Sequence, residues 1–477
     1  MTFRKTRELA VGAIAAVVMT AAGGCGGSTR SSPTTDTSPA TASPTATATR
    51  TTSASTGGDR GAASRRVSEA AWLTYHGNLA RTGVAAAGPP LGSARRLWSA
   101  PVDGAVYAEP LIGQGKVIVA TENDSVYAFD VVNGRRAWRA HLGTPVPGGD
   151  LPCGNIDPSG ITGTPTIDTR AAVVYVVTFE RFEHRLVALD LASGRVRWQR
   201  PIDPPGADPR THQQRAALAL SHGHVYIAYG GLYGDCGDYH GWVLGAPASG
   251  PTGQLLGYRV PTEREGAIWA PSGPAIDGDG NVYVATGNGS SSSAFDFGNA
   301  VIRLTPALER SDFFAPSNAP ELSSADLDLG STGPLLLPHS RAFIIGKTGV
   351  GYLLNTSRLG GIGHPVASRG ICGAAFGGSA YANGTIYVPC TDGIVAVRVA
   401  GDRLEPAWSH GDAPGSPILA GPGLWAVGGQ ALLQLDPRTG RERFSAPIGD
   451  PAHFATPAAA GGRIFVAAGG HVYAFGQ

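Results

Sequence analysis

Two loops gather carboxylates, an imidazole and thiols within a few residues of one another: 151–165, which contains Cys153 and Asp157, and 229–242, which contains Asp235, Cys236, Asp238 and His240. Carboxylates beside an imidazole can hold a hard cation or accept a proton. The same residues, set among glycines, also form Asx-turns and a disulfide clamp that shape a rim, and the sequence leaves both readings open. Beyond Cys25, the cysteines are Cys153, Cys236, Cys372 and Cys390. An even number outside a reducing compartment points to disulfides, with Cys372 to Cys390 and Cys153 to Cys236 the favoured pairs and buried free thiols the alternative. A zinc site has little support, because no CxxC spacing occurs and His240 is the one histidine close to a cysteine.

The N-terminus carries Arg4, Lys5 and Arg7, an apolar run over 9–22, then Gly23, Gly24 and Cys25. This is the layout of a lipoprotein signal peptide over 1–25, with Cys25 as the lipidation site. An ordinary signal peptide or an uncleaved anchor is the alternative, the run being shorter than the roughly 20 residues of a membrane span. Residues 26–68 are Ser, Thr, Pro, Ala and Gly with almost no large apolar side chain, and so read as a disordered tether. Such a tether reaches roughly 35 Å. The expected location is the cell membrane, lipid-anchored, on the extracytoplasmic side.

Those candidate residues must be positioned by a chain of 477 residues with 69 Gly, 36 Pro, 15% charged residues and a formal charge of +1. Many tight hairpins explain the glycine, and a long helical domain is not expected. Balanced charge leaves no basic stripe for phosphates, so nucleic acid is excluded as a partner.

Eight short strands of one type recur over 116–121, 173–178, 224–229, 281–286, 341–346, 385–390, 423–428 and 463–468. Self-similarity at a spacing of roughly 40 to 60 residues marks units that bury their apolar faces only by stacking. The best copies continue from Asp130 through Gly134 to Trp138, from Asp190 through Gly194 to Trp198, and from Asp436 through Gly440 to Phe444. In each, Asp can bond the amides beyond it, Gly takes the left-handed turn position, and the aromatic covers an edge. Residues 97–102 read as an outer strand without a hairpin, and the last unit, 452–477, lacks a fourth strand. The fold expected over 69–477 is therefore all-β: an eight-bladed β-propeller closed by an N-terminal strand, or a seven-bladed one if 411–450 is not a blade.

This repeat, with the lead-in Trp72 to Gly83, resembles that of the quinoprotein-type propellers, which include the pyrroloquinoline quinone (PQQ) dependent alcohol dehydrogenases and the BamB-like envelope lipoproteins. The resemblance covers about 72–477 and implies tryptophan docking between blades. It also implies PQQ and calcium as cofactors, with Asn288 of Thr286-Gly287-Asn288 and Asp235 or Asp238 as calcium ligands. Asp326 of Ala325-Asp326-Leu327-Asp328 would be the catalytic base, Lys347 of Gly346-Lys347-Thr348-Gly349 would contact the quinone, and Trp269 would stack under it. The chain departs from that pattern where Tyr233 stands in place of the glutamate ligand and Ala325 in place of a tryptophan. It also lacks a vicinal cysteine pair and a CxxCH haem motif.

The leading functional reading is a membrane-tethered, monomeric binding or scaffold module for an envelope protein or small ligand, with no catalytic activity. The alternative is a PQQ- and calcium-dependent dehydrogenase acting on an alcohol or sugar. A third reading is hydrolysis or elimination by Asp235, Asp238 and His240.

Overall fold

The computed structural model describes residues 70–477; the signal peptide, Cys25 and the tether assigned to 1–68 lie outside the described residues. Eight antiparallel sheets follow one another along the chain, over 111–141, 166–201, 219–259, 275–315, 335–370, 380–411, 418–447 and 458–476. Each has at least four strands, and together they are the eight blades of a β-propeller. The unit over 411–450 contains a full blade, so the seven-bladed alternative is set aside.

Closure runs as the strand count required. The eighth blade has three strands of its own, and Arg95–Pro101 supplies the fourth, pairing antiparallel with His471–Gly476 from Arg95 opposite Gly476 to Pro101 opposite His471. Joining the two ends of the ring removes the unpaired edge that would otherwise recruit other chains.

The repeated Asp, Gly and aromatic act between blades as well as within them. Asp130 Oδ1 accepts hydrogen bonds from the amides of Val132 (2.9 Å) and Asn133 (3.0 Å), and Asp190 and Asp436 bond the turns beyond them in the same way. Gly194 has φ +72°, and a Cβ there would overlap the ring of Trp138 from the preceding blade. That ring is 8% exposed and donates from Nε1 to Leu191 O at 3.1 Å. Trp98 and Trp408 dock in the same way against the glycine turns at 134 and 440. One motif thus shapes a turn and provides the seat for its neighbour's tryptophan.

The lead-in 72–85 threads the axis. Its backbone bonds the innermost strands of six blades in turn: Trp72 with Ile112, Leu73 with Ile167, Leu79 with Ile276, Ala80 with Leu336, Thr82 with Tyr381 and Gly83 with Leu419. Thr74 Oγ1 reaches Leu218 O beside the third blade, and Tyr75 Oη lies 3.3 Å from Thr456 Oγ1 in the eighth. Trp72, Tyr75, His76 and Arg81 are all buried. The segment therefore plugs one end of the channel and ties every blade to one strap. Two titratable groups lie inside it, Arg81 and Glu109, 2% and 1% exposed, and burial raises the Glu109 pKa well above the usual carboxylate range. Arg81 donates to Pro274 O, Thr74 Oγ1, Tyr75 O and Leu218 O; Glu109 accepts from Trp72 Nε1 and the His76 amide. Burial pushes the His76 imidazole down to about 3, so it is neutral at ordinary pH.

Candidate functional site

Above the plug, the ring encloses a cavity of about 880 Å³. The segments entering the innermost strands wall it, together with the hairpins between second and third strands. The plug forms its base: Phe454 lines the cavity, and two residues further on Thr456 meets Tyr75.

One side of the cavity is a charged cluster built from two adjacent blades. Asn288 follows the second strand of the fourth blade, Val282–Ala285, and Lys347 follows that of the fifth, Arg341–Ile344. Asp326 lies just past the short helix Ala319–Ser324, where the chain turns left-handed (φ +55°), as residues beyond a helix C-terminus often do. That turn aims the carboxylate back at the cavity. Asn288 Nδ2 donates to Asp326 Oδ1 at 2.8 Å, and Lys347 Nζ reaches the same oxygen at 2.7 Å and Asp328 Oδ2 at 2.6 Å. Asp328 is 6% exposed and also accepts from the Asn288 amide at 2.7 Å. Burial raises the Asp328 pKa against the pull of Lys347. Desolvation also acts against the Lys347 ammonium, but the two carboxylates outweigh it and its pKa is raised.

Aromatic rings line the cavity as well, beginning with Trp269 next to the charged cluster, since a Cβ at Gly287 would meet both Asp328 Oδ1 and Trp269 Nε1. Trp269 and Phe376 have ring centroids 6.3 Å apart, and Phe376 stacks with Phe454 at 5.9 Å and 18°. Arg215 lies over Phe454, its Cζ 4.8 Å from the ring centroid.

Of the residues singled out from the sequence, Trp269, Asn288, Asp326, Lys347 and Asp235 line this one cavity. Asp235 accepts a hydrogen bond from Tyr239 Oη, and Tyr233 stands at the rim with 71% exposure. Asp238 is not a lining residue: its side chain is 81% exposed, 3.7 Å from His240. His240 instead meets the Arg259 guanidinium at 2.9 Å, and Asp157 accepts from the Gly148 amide. The two acid-bearing loops are joined by the Cys153–Cys236 disulfide, and Cys372–Cys390 is the second bridge. Among the described residues no group of three or more His, Cys, Asp or Glu side chains could hold a metal ion.

The donor set at the charged cluster does not fit calcium. Asn288 turns its amide nitrogen to Asp326 and its oxygen accepts from Asn299 Nδ2 at 3.2 Å. An ammonium already bridges the two carboxylates, and the third acid of the resemblance is Tyr233. Lys347 supplies the positive charge that a cation would bring.

Arg215, Phe376 and Phe454 were not singled out from the sequence, yet the repeat places them. Each stands four residues before an innermost strand, those starting at Ala219, Ala380 and Ala458, and Tyr107 stands four before Leu111. In six of the eight blades a proline immediately precedes that strand, but in the third and sixth Leu218 and Ser379 stand there, so aligning the prolines finds the positions of Tyr107 and Phe454 and passes over those of Arg215 and Phe376.

Behind Arg215 lie two buried carboxyls on the Thr121 to Ser125 hairpin. Burial pushes Glu122 up to about 7 and Asp124 up to about 8, against hydrogen bonds from the Gly160 amide and from the Phe179 amide respectively. Each holds its proton to higher pH folded than unfolded, so folding takes up protons between about pH 4 and pH 8, and stability falls as pH rises through that window. Glu122→Gln should remove on the order of 3 kcal/mol of this loss. Urea unfolding at pH 5 and pH 8 checks it: the variant should lose less stability than wild type, and equal losses would contradict the assignment.

Comparison with known proteins agrees with this architecture. The family model described as outer membrane protein assembly factor BamB matches residues 91–232. Over those residues the chain matches a PQQ-like repeat, and its fold is an eight-bladed β-propeller. It is similar in structure to quinohemoprotein alcohol dehydrogenase from Pseudomonas putida HK5, with TM-score 0.68, 14% identity, and 88% of this chain and 82% of that one covered. For the quinohemoprotein alcohol dehydrogenase of Comamonas testosteroni the values are 0.64, 16%, 88% and 82%. For BamB from Moraxella catarrhalis they are 0.56, 16%, 80% and 98%. At these identities the likeness carries the fold alone. No curated protein sequence matches the chain. The propeller thus has structural neighbours among both alcohol dehydrogenases and BamB, and a shared fold does not decide between their functions.

Proposed function

We propose that this PQQ-like propeller is a membrane-tethered, extracytoplasmic binding module whose cavity and surrounding rim loops receive a small ligand or an envelope protein, without redox chemistry. The carrying observation is Lys347, whose ammonium bridges Asp326 and Asp328 where the alternative needs a divalent cation. The rigid ring, the axial plug and the Cys153–Cys236 clamp support a preformed receptor, which loses little conformational entropy on binding. Two disulfides suit an oxidising compartment, in line with export through the 1–25 signal and Cys25 lipidation.

A second reading, a PQQ-dependent dehydrogenase for an alcohol or sugar, is favoured by one observation: Trp269, Asn288, Asp326 and Lys347 do converge on the cavity. Dye-linked oxidation of a panel of alcohols and sugars, after incubation with PQQ and calcium, separates the two. The binding-module reading expects no turnover. Turnover that disappears in Asp326→Asn would overturn it.

A further inference from the structure

Arg215 is the charged group of the cavity that the protein leaves uncommitted. Lys347 is consumed by two carboxylates, whereas the Arg215 guanidinium makes no hydrogen bond or ion pair with any described residue, and its Nε is buried without a partner. A guanidinium has five donors in a planar fork, and leaving a buried donor unsatisfied is costly, so a site that tolerates one is shaped for a ligand that satisfies it. Its surroundings hold it in place by other means: the rings of Phe454 and Tyr107, with centroids 4.8 Å and 5.6 Å from its Cζ. The acid acting on it at longer range, Glu122, spends one oxygen on the Gly160 amide and Thr162 and keeps its proton to near neutrality.

The remaining walls define the rest of the ligand. From Arg215 the aromatic faces of Phe454, Phe376 and Trp269 follow in sequence, a surface for a flat apolar body. Asp235, Asp326 and Asp328 line the same cavity, against the single ammonium of Lys347, with Asp328 beside the Trp269 end of the aromatic surface. Those carboxylates repel a second or third negative charge on the same ligand. A volume of about 880 Å³ admits a small organic molecule rather than a chain segment alone.

We propose that the cavity binds a small planar apolar molecule bearing one anionic group, a carboxylate or a phosphate, with Arg215 as the bidentate anchor of that group and Trp269, Phe376 and Phe454 as the bed of its body. The inference rests on the binding-module reading and gives it a ligand class.

Calorimetry with matched probes tests it, using the wild-type protein, Arg215→Gln and Arg215→Lys, without calcium. The probes are 2-naphthoate, 2-naphthamide, 2-naphthyl phosphate and a naphthalene tricarboxylate. Wild type should bind naphthoate or naphthyl phosphate about tenfold or more tighter than the amide, and the tricarboxylate more weakly than the monoacid. The stronger of the two single anions identifies the headgroup. Arg215→Gln should abolish the preference over the amide, and Arg215→Lys should keep part of it. Equal binding of acid and amide by wild type would overturn the anion site while leaving a receptor for neutral ligands. Binding of neither would overturn it and direct the binding-module reading to a protein partner. If Arg215→Gln fails to fold, the acid against amide comparison in wild type and Arg215→Lys still decides.

Discussion

Arg81→Ala should destabilise the propeller by about 3–5 kcal/mol, the cost of breaking a buried, fully bonded charge site. Arg81 donates to carbonyls of the lead-in and of two blades, so its loss leaves Pro274 O and Leu218 O without that donor, beside the buried carboxyl of Glu109. The strap 72–85 closes the ring from within, which places the damage on the whole fold rather than on one blade. The urea midpoint should fall with an unchanged slope. In the double variant Arg81→Met with Glu109→Gln, part of the loss should return, since the uncompensated acid is gone. A single-variant loss below about 1 kcal/mol, the scale of an exposed ion pair, would show that the plug does not hold the ring.

Lys347→Met should have the second large effect, and one with a distinctive pH dependence. Its ammonium holds two carboxylates, one of them 6% exposed, and removing it leaves both without a counter-charge. Burial then drives the Asp328 pKa further up, so the folded state binds a proton that the unfolded state has released. The destabilisation should therefore be small near pH 4 and grow to about 3 kcal/mol by pH 8. The variant should also acquire what wild type lacks. With Asp326, Asp328 and Asn288 freed of the ammonium, millimolar calcium should raise its melting temperature and leave that of wild type unchanged. A variant indifferent to both pH and calcium would contradict the role given to Lys347.

How far the sequence carried this account differs between fold and site. Blade number, ring closure through the strand at 95–101 and both disulfides were legible, because strand signatures repeat and an end lacking one strand must find it at the other. The path of the lead-in was not. Trp72 to Gly83 shows no strand or helix period, since it bonds a different blade every residue or two. At the site, Trp269, Asn288, Asp326 and Lys347 stand together in the cavity, but their electrostatics depend on Asp328, which the sequence offered only as a neighbour of Asp326. Asp238 and His240 looked like partners of Asp235 by proximity in sequence; the loop turns them outward, toward solvent and Arg259. Arg215 was hidden at the end of the polar run Thr211-His212-Gln213-Gln214, in a blade entry without the proline found in most others, and only the folded ring puts it beside Phe454 and Tyr107.

The Lys347 ammonium, bridging Asp326 and Asp328, stands where a quinoprotein site would need a divalent ion. Calorimetric titration of PQQ into the wild-type protein, with calcium and then with a chelator, tests this most directly. No calcium-dependent binding is expected, and any weak association should be the same in both conditions. Tight binding that appears only with calcium would contradict it and return Asn288, Asp326 and Lys347 to a quinoprotein site.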